Sequence, residues 1–203
     1  MTEKMPFLDQ VENKETFFRR VSCLFPTLDY RYKLIEEAYA DAKDAFRGKK
    51  RESGERYFEH LRAVALILME YLRIKDHELI IVALLHDIVE DCPDWTIDRV
   101  AVKYGERVAL LVEWMSKPSV EEFDGDKNER NQMYHGRFES APREFFLIKL
   151  SDRLHNLITM WKCTKDKKRR KIAETKEHYL PYAEKHLILL HELEYALKDL
   201  ETE

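Results

Sequence analysis

Apolar residues recur at a spacing near 3.6 over residues 13–25 and again over 30–47 (YRYKLIEEAYADAKDAFR), which predicts two amphipathic helices. The polar stretch GKKRESGER follows and carries two of the chain's five glycines, so it reads as a loop. A third helix is predicted over Tyr57–Leu72. The fourth, DHELIIVALLHDIVED (76–91), is apolar on nearly every side through its middle, the pattern of a helix enclosed by others. Thr96 is a candidate N-cap for a short helix to Tyr104, and after Gly105 the segment ERVALLVEWMS forms another that stops before Pro118. Residues 119–128 (SVEEFDGDKN) are acidic and loop-like, the expected mobile region. A helix over 129–140 precedes Pro142, which opens a long one through REFFLIKLSDRLHNLITMW. Residues 169–200 read as two helices with a break at Pro181. No period of two persists anywhere, so the fold class is all-α, a single bundle of roughly eight to ten helices.

Composition supports this reading and removes several functions. The 203 residues include only five glycines and six prolines, too few for the turns of an all-β fold or for glycine-rich phosphate loops. Apolar residues make up 44%, which excludes disorder, and the 36% charged fraction suits helices with one solvated face. Acidic and basic residues are interspersed to a net charge of −4, giving no general attraction to nucleic acid or to an anionic membrane. The longest apolar run, around Ile80–Leu85, is far too short to span a bilayer, and MTEKMPFLDQ is unlike a signal peptide. Cys23, Cys92 and Cys163 are widely separated and odd in number, which fits a reducing compartment. The expectation is a cytoplasmic protein.

The chemical anomaly follows the apolar run IIVALL, where His86, Asp87, Glu90 and Asp91 crowd the end of a core helix. On an unbroken helix His86 stands over Glu90, and Asp87 over Asp91. Acids there oppose the helix dipole and each other, so either the helix end is simply solvated or a divalent cation compensates them. A second helix supplies KLSDRLHN, in which Asp152 and Asn156 share a face beside the apolar Leu150, Leu154 and Leu157. His60 lies at the start of an apolar helix, where a lone histidine is ordinarily a core or boundary residue.

Taken together, His60, His86–Asp87 and Asp152 reproduce the H…HD…D pattern of the HD-domain metal-dependent phosphohydrolases. The strings ALLHDIVED and LIKLSDRLHNL closely resemble the hydrolase domain of the RelA/SpoT family and the stand-alone small alarmone hydrolases. The resemblance covers roughly residues 30–195, extending through RESGERYFEH, TIDRVAVKYGERVALLVEWMSKP and IAETKEHYLPYA. It implies an HD-type domain over 30–203, preceded by a helical extension over 1–29. It further implies one divalent ion, usually Mn²⁺, held by His60, His86, Asp87 and Asp152; such a donor set also suits Fe, Co or Zn. Glu90 and Asp91 match the family's catalytic acid pair. Arg51, Ser53 and Gly54 match the loop RKSGEPY, while Asn156 and Thr159 fall at nucleotide-contact positions. The implied reaction is hydrolysis of the 3′-pyrophosphate of ppGpp or a related alarmone.

Three departures bear on the substrate. Glu52 stands where the family has a basic residue and would repel phosphate, and Arg56 and Leu61 replace two prolines. Lys49, Lys50 or Arg56 could restore the positive charge. The alternatives are an HD phosphohydrolase for another nucleotide or phosphoester, or a non-catalytic nucleotide-binding module. Other features read as structural. KDKKRRK (165–171) is a solvated helix start, and Phe145, Phe146 and Trp161 fit a core stripe. Cys92 is a bystander thiol, His155 makes a structural hydrogen bond, and His135, His178, His186 and His191 show no partner pattern. The sequence leaves the oligomeric state open.

Overall fold

A computed structural model describes residues 5–8 and 12–202, and in it the predicted periodicities become twelve α-helical segments. The first seven are α1 (Lys14–Leu24), α2 (Tyr30–Ala45), α3 (Tyr57–Leu66), α4 (His77–Leu85), α5 (Ile88–Asp91), α6 (Ile97–Tyr104) and α7 (Glu106–Met115). Then come α8 (Lys127–Gly136), α9 (Arg143–Ile158), α10 (Lys165–His178), α11 (Leu180–His186) and α12 (Leu190–Thr202). Among the described residues the β-type pairing is a single isolated bridge, Lys50 with Arg56. Part of the 1–29 extension, residues 1–4 and 9–11, lies outside the described residues.

Helix starts follow the polar residues that precede them. The side chains of Asn13, Asp29, Asp76, Thr96, Asp126 and Thr164 each accept a backbone N–H of the first turn. Two expectations about helix continuity are corrected. The helix predicted over 76–91 breaks at His86–Asp87, leaving α5 as a single turn. The C-terminal stretch holds three helices, because α11 closes in a Schellman turn. There Ile188 N–H bonds the Ala183 carbonyl at 3.0 Å, and Leu187 and Leu189 both adopt φ +54°. Pro181 sits in the first turn of α11, where its missing N–H removes no helical bond. The third predicted helix holds over its length, with its last turn widened into a π-turn at Ile67–Tyr71.

Helix α4 lies at the centre, with every residue from Leu79 to Leu85 buried. It packs against α2, α3, α7 and α9, which accounts for its apolar character on all sides. Helix α1 adds Phe17, Phe18 and Val21 to the same core, with Phe17 and Phe18 in ring contact with Tyr39 of α2. Phe145 and Phe146 are buried as expected, whereas Trp161 is 54% exposed. Helix α9 ends at Ile158, and the 3₁₀ turn Met160–Lys162 carries Trp161 off the stripe that α9 buries. No helix among the described residues is long and apolar enough to cross a membrane. Because the Leu84 side chain is fully enclosed, Leu84→Ala is expected to lower stability by about 2–5 kcal/mol in urea unfolding.

Candidate functional site

Three helices bring their polar side chains together beside the core. Helix α3 brings His60 from its first turns, α4 delivers His86 just past its last residue, and α9 presents Asp152. All three side chains are buried, His86 completely. Their ligand atoms lie within 4.8 Å of one another. His60 Nε2 is 3.2 Å from Asp152 Oδ1, and His86 Nε2 is 3.8 Å from the same oxygen.

The break after α4 aims His86. Its Nδ1 donates to the Ala83 carbonyl at 2.8 Å, competing with the helical backbone and fixing the ring. With Nδ1–H committed to Ala83, Nε2 is the ring atom turned toward Asp87 and Asp152, and it is a buried nitrogen that makes no well-formed hydrogen bond. Asp87 follows in a non-helical conformation, and its Oδ2 sits 3.2 Å from His86 Nε2 while accepting the Tyr57 hydroxyl at 2.7 Å. The expected stacking of His86 over Glu90 therefore gives way to a turn that brings His86 toward Asp152 and sets Asp87 against His86 and Tyr57. The one-turn helix α5 still holds Glu90 and Asp91 close by.

The charges in this cluster act strongly on one another. Burial lifts Asp152, but the positive charge around it, Lys149 first, outweighs that and holds the carboxyl well below the usual carboxylate range. Lys149 Nζ lies 3.3 Å from Asp152 Oδ2. Burial opposes a charged His86, yet Asp87 and Asp152 raise its pKa to about 9. A proton on His86 is what such carboxylates hold when only protons are at hand, and a dication would displace it. Two imidazoles and two carboxylates, with an orphaned buried nitrogen among them, fit a divalent metal of the Mn²⁺, Fe²⁺, Co²⁺ or Zn²⁺ type. Burial, then Asp87, raises both Glu90 and Asp91. Glu90 also accepts the Lys117 backbone N–H at 3.2 Å.

The loop before α3 forms the adjoining wall. A tight turn, closed by the Gly54 N–H on the Arg51 carbonyl at 2.9 Å, needs the positive φ (+89°) that Gly54 supplies. Arg51 reaches α9, donating to Asn156 Oδ1 at 2.6 Å and to His155 Nδ1 at 3.1 Å. Ser53 is buried and its hydroxyl has no partner. The Thr159 hydroxyl turns back to the His155 carbonyl at 2.7 Å.

The three departures from the family pattern are absorbed locally. Glu52 accepts from Lys167 at 2.7 Å and from the Cys163 thiol at 3.2 Å, so its charge is neutralised from α10. Arg56 pairs with Glu59, and Leu61 is fully buried in the core. Lys49 is held by the Asp91 carbonyl beside α5. The basic run 165–171 forms the first two turns of α10.

The sequence reading passed over several groups that the fold brings here. Tyr57 bonds Asp87, Lys149 pairs with Asp152, and the Lys117 and Lys149 ammonium groups lie 5.5 and 5.3 Å from the Tyr134 ring centre. His155 makes the structural hydrogen bond expected of it, to His60, Nδ1 to Nδ1, at 2.8 Å. The signal was present: Lys149, His155 and Asn156 each stand three or four residues from Asp152, on one side of the helix. His135, read as partnerless, stacks on His178 at 4.0 Å and stands 3.4 Å from Glu174.

Known proteins resemble this chain in sequence and fold over most of its length. A family model described as "HD domain" matches residues 38–188. The bifunctional (p)ppGpp synthase/hydrolase SpoT of Escherichia coli (strain K12) is 37% identical over 170 residues, covering 83% of this chain and 24% of that protein. The guanosine-3′,5′-bis(diphosphate) 3′-pyrophosphohydrolase of Aquifex aeolicus (strain VF5) is 42% identical over 150 residues, 73% of this chain and 21% of its own. The chain thus spans about a quarter of the length of the curated relatives it matches. A solved structure described as a metazoan ortholog of SpoT that hydrolyzes ppGpp superposes with a TM-score of 0.70 at 23% identity. That alignment covers 82% of this chain and 94% of the other, and it bears on the fold.

Proposed function

Starting from a chain that belongs to the HD domain family, we propose that it is a Mn²⁺-dependent hydrolase that removes the 3′-pyrophosphate of ppGpp or a closely related alarmone. The observation that carries the reading is the convergence of His60, His86 and Asp152 around an unpartnered His86 Nε2, beside a loop that presents Arg51. The names of the relatives supply the substrate class. In this reading His60, His86, Asp87 and Asp152 hold the ion. Residues 30–203 are the hydrolytic domain, and residues 1–29 extend it.

The ion supplies Lewis acidity toward a phosphoryl oxygen and makes a water easier to deprotonate near neutral pH. The rest falls to side chains. Hydrolysis adds a water oxygen to the phosphorus next to the ribose, breaks its bond to O3′, and yields GDP and pyrophosphate. The attacking water must lose a proton and O3′ must gain one. Glu90 and Asp91, which burial biases toward the protonated form, are the groups placed to exchange these protons. Arg51 and the buried Ser53 hydroxyl face the nucleotide, with Asn156 of α9 and Thr159, the residue that caps that helix, behind them. Lys117 and Lys149 offer positive charge on the Glu90 side. Tyr57 keeps Asp87 oriented through its 2.7 Å hydrogen bond.

Release of pyrophosphate and phosphate across a nucleotide panel with added Mn²⁺ tests this reading. The expected result is pyrophosphate from ppGpp and none from GTP, ATP or simple phosphomonoesters. Release from the others but not from ppGpp would assign the site to a different nucleotide. The Glu52–Lys167 pair yields a separate expectation. Because Glu52 is already neutralised, Glu52→Gln should shift KM for ppGpp by no more than about fivefold, the scale of an exposed ion pair. A larger fall in KM would show that Glu52 repels the substrate.

A further inference from the structure

Arg51 is tied to two metal-ligand candidates through hydrogen bonds that leave little freedom of direction. A guanidinium only donates, so its 3.1 Å contact makes His155 Nδ1 an acceptor, with no proton of its own. The 2.8 Å contact between His155 Nδ1 and His60 Nδ1 must then be donated by His60. A neutral imidazole has one N–H. With that proton on Nδ1, His60 Nε2 carries a lone pair, and it is Nε2 that faces Asp152 Oδ1 at 3.2 Å. The second arm behaves alike. Arg51 donates to Asn156 Oδ1 at 2.6 Å, which turns the amide so that Asn156 Nδ2 donates to Asp152 Oδ1.

From this we infer that Arg51 is a positioning residue for the metal centre, setting the metal-competent tautomer of His60 through His155 and the Asp152 carboxylate through Asn156. Without the Arg51 donor the two imidazoles have a second arrangement. His155 Nδ1–H donates to His60, and His60 Nε2–H donates to Asp152, so the lone pair that a cation requires is occupied. Burial stabilises the network, since His60 and His155 are 2% and 7% exposed and no bulk water competes for these nitrogens. Groups facing a ligating imidazole from behind commonly change metal affinity by about 10–100-fold. Here that control would begin in the same loop that meets the nucleotide. Loop geometry and metal affinity are therefore linked, and reciprocally so.

The inference rests on the metal reading of the site and is tested without any substrate. Mn²⁺ binding is measured by titration on nucleotide-free protein for wild type, Arg51→Met, His155→Leu and the double variant. Arg51→Met is expected to weaken Mn²⁺ binding about tenfold and His155→Leu about 10–100-fold. The double variant should bind Mn²⁺ more tightly than the sum of the two single losses predicts, because removing His155 already cuts one of the two arms and leaves only the Asn156 arm for Arg51 to act through. In metal-free protein with ¹⁵N-labelled histidine, His60 should carry its proton on Nδ1 in the wild type and shift toward Nε2 in Arg51→Met.

An Arg51→Met protein with wild-type Mn²⁺ affinity and an unchanged His60 tautomer would overturn the inference. So would an Arg51 effect of equal size in the His155→Leu background. Should His155→Leu fail to fold, the Arg51→Met affinity and the tautomer signal decide the matter alone. A wild-type protein that binds no Mn²⁺ would remove the metal reading itself, whereas Mn²⁺ binding without coupling removes only this inference.

Discussion

Asp152→Asn is expected to abolish pyrophosphate release, by about 10³-fold or more, together with stoichiometric Mn²⁺ binding. The carboxylate is the hub of the site: His60 Nε2, His86 Nε2 and Lys149 Nζ all face it within 3.8 Å. An amide keeps the shape but removes the charge that attracts a cation. It also leaves Lys149, buried and positive, without its partner, and breaking a buried pair on one side costs about 3–5 kcal/mol. A lower melting temperature should therefore accompany the loss of activity. The double variant Asp152→Asn/Lys149→Met separates the two effects. It should regain most of the stability and none of the hydrolysis. Recovery of hydrolysis in that double variant would show that Asp152 acts only by balancing Lys149.

Glu90→Gln should lower kcat by about 10²–10⁴-fold, the range for losing a general acid or base, while Mn²⁺ affinity stays within about threefold of wild type. Neither Glu90 nor Asp87 is among the three groups whose ligand atoms lie within 4.8 Å of one another, but Asp87 Oδ2 comes to 3.2 Å from His86 Nε2, whereas Glu90 is engaged with the Lys117 backbone. Its side-chain oxygen accepts the Lys117 backbone N–H at 3.2 Å, and a glutamine oxygen can keep that bond. Stability should accordingly be unchanged. Burial is the main cause that raises the Glu90 carboxyl, so the substitution removes a group suited to holding a proton rather than a fixed negative charge. A loss of Mn²⁺ binding equal to the loss in kcat would move Glu90 from proton transfer to metal ligation.

The helical class and most element boundaries were legible because amphipathic spacing and capping residues are local signals. The enclosed α4 announced itself by having no polar face. Periodicity could not show the break at His86, which depends on an imidazole bonding its own helix at Ala83. The Schellman turn at Leu187 was equally hidden, since such turns ordinarily advertise themselves by glycine. In the site, the resemblance joined His60, His86–Asp87 and Asp152, three places too distant in sequence for any local argument. The response to Glu52 was invisible because its partner Lys167 lies on α10, beyond the motif. The structural hydrogen bond expected of His155, three positions from Asp152, is present and goes to His60. The role of His155 depends on an Arg51 contact that only the folded chain provides.

The most direct measurement of the central claim follows the products of ppGpp with Mn²⁺-loaded protein. The account predicts one GDP and one pyrophosphate per ppGpp consumed, with turnover lost on chelation and restored by added Mn²⁺. Turnover that persists in chelated protein, or that is retained by Asp152→Asn, would contradict it.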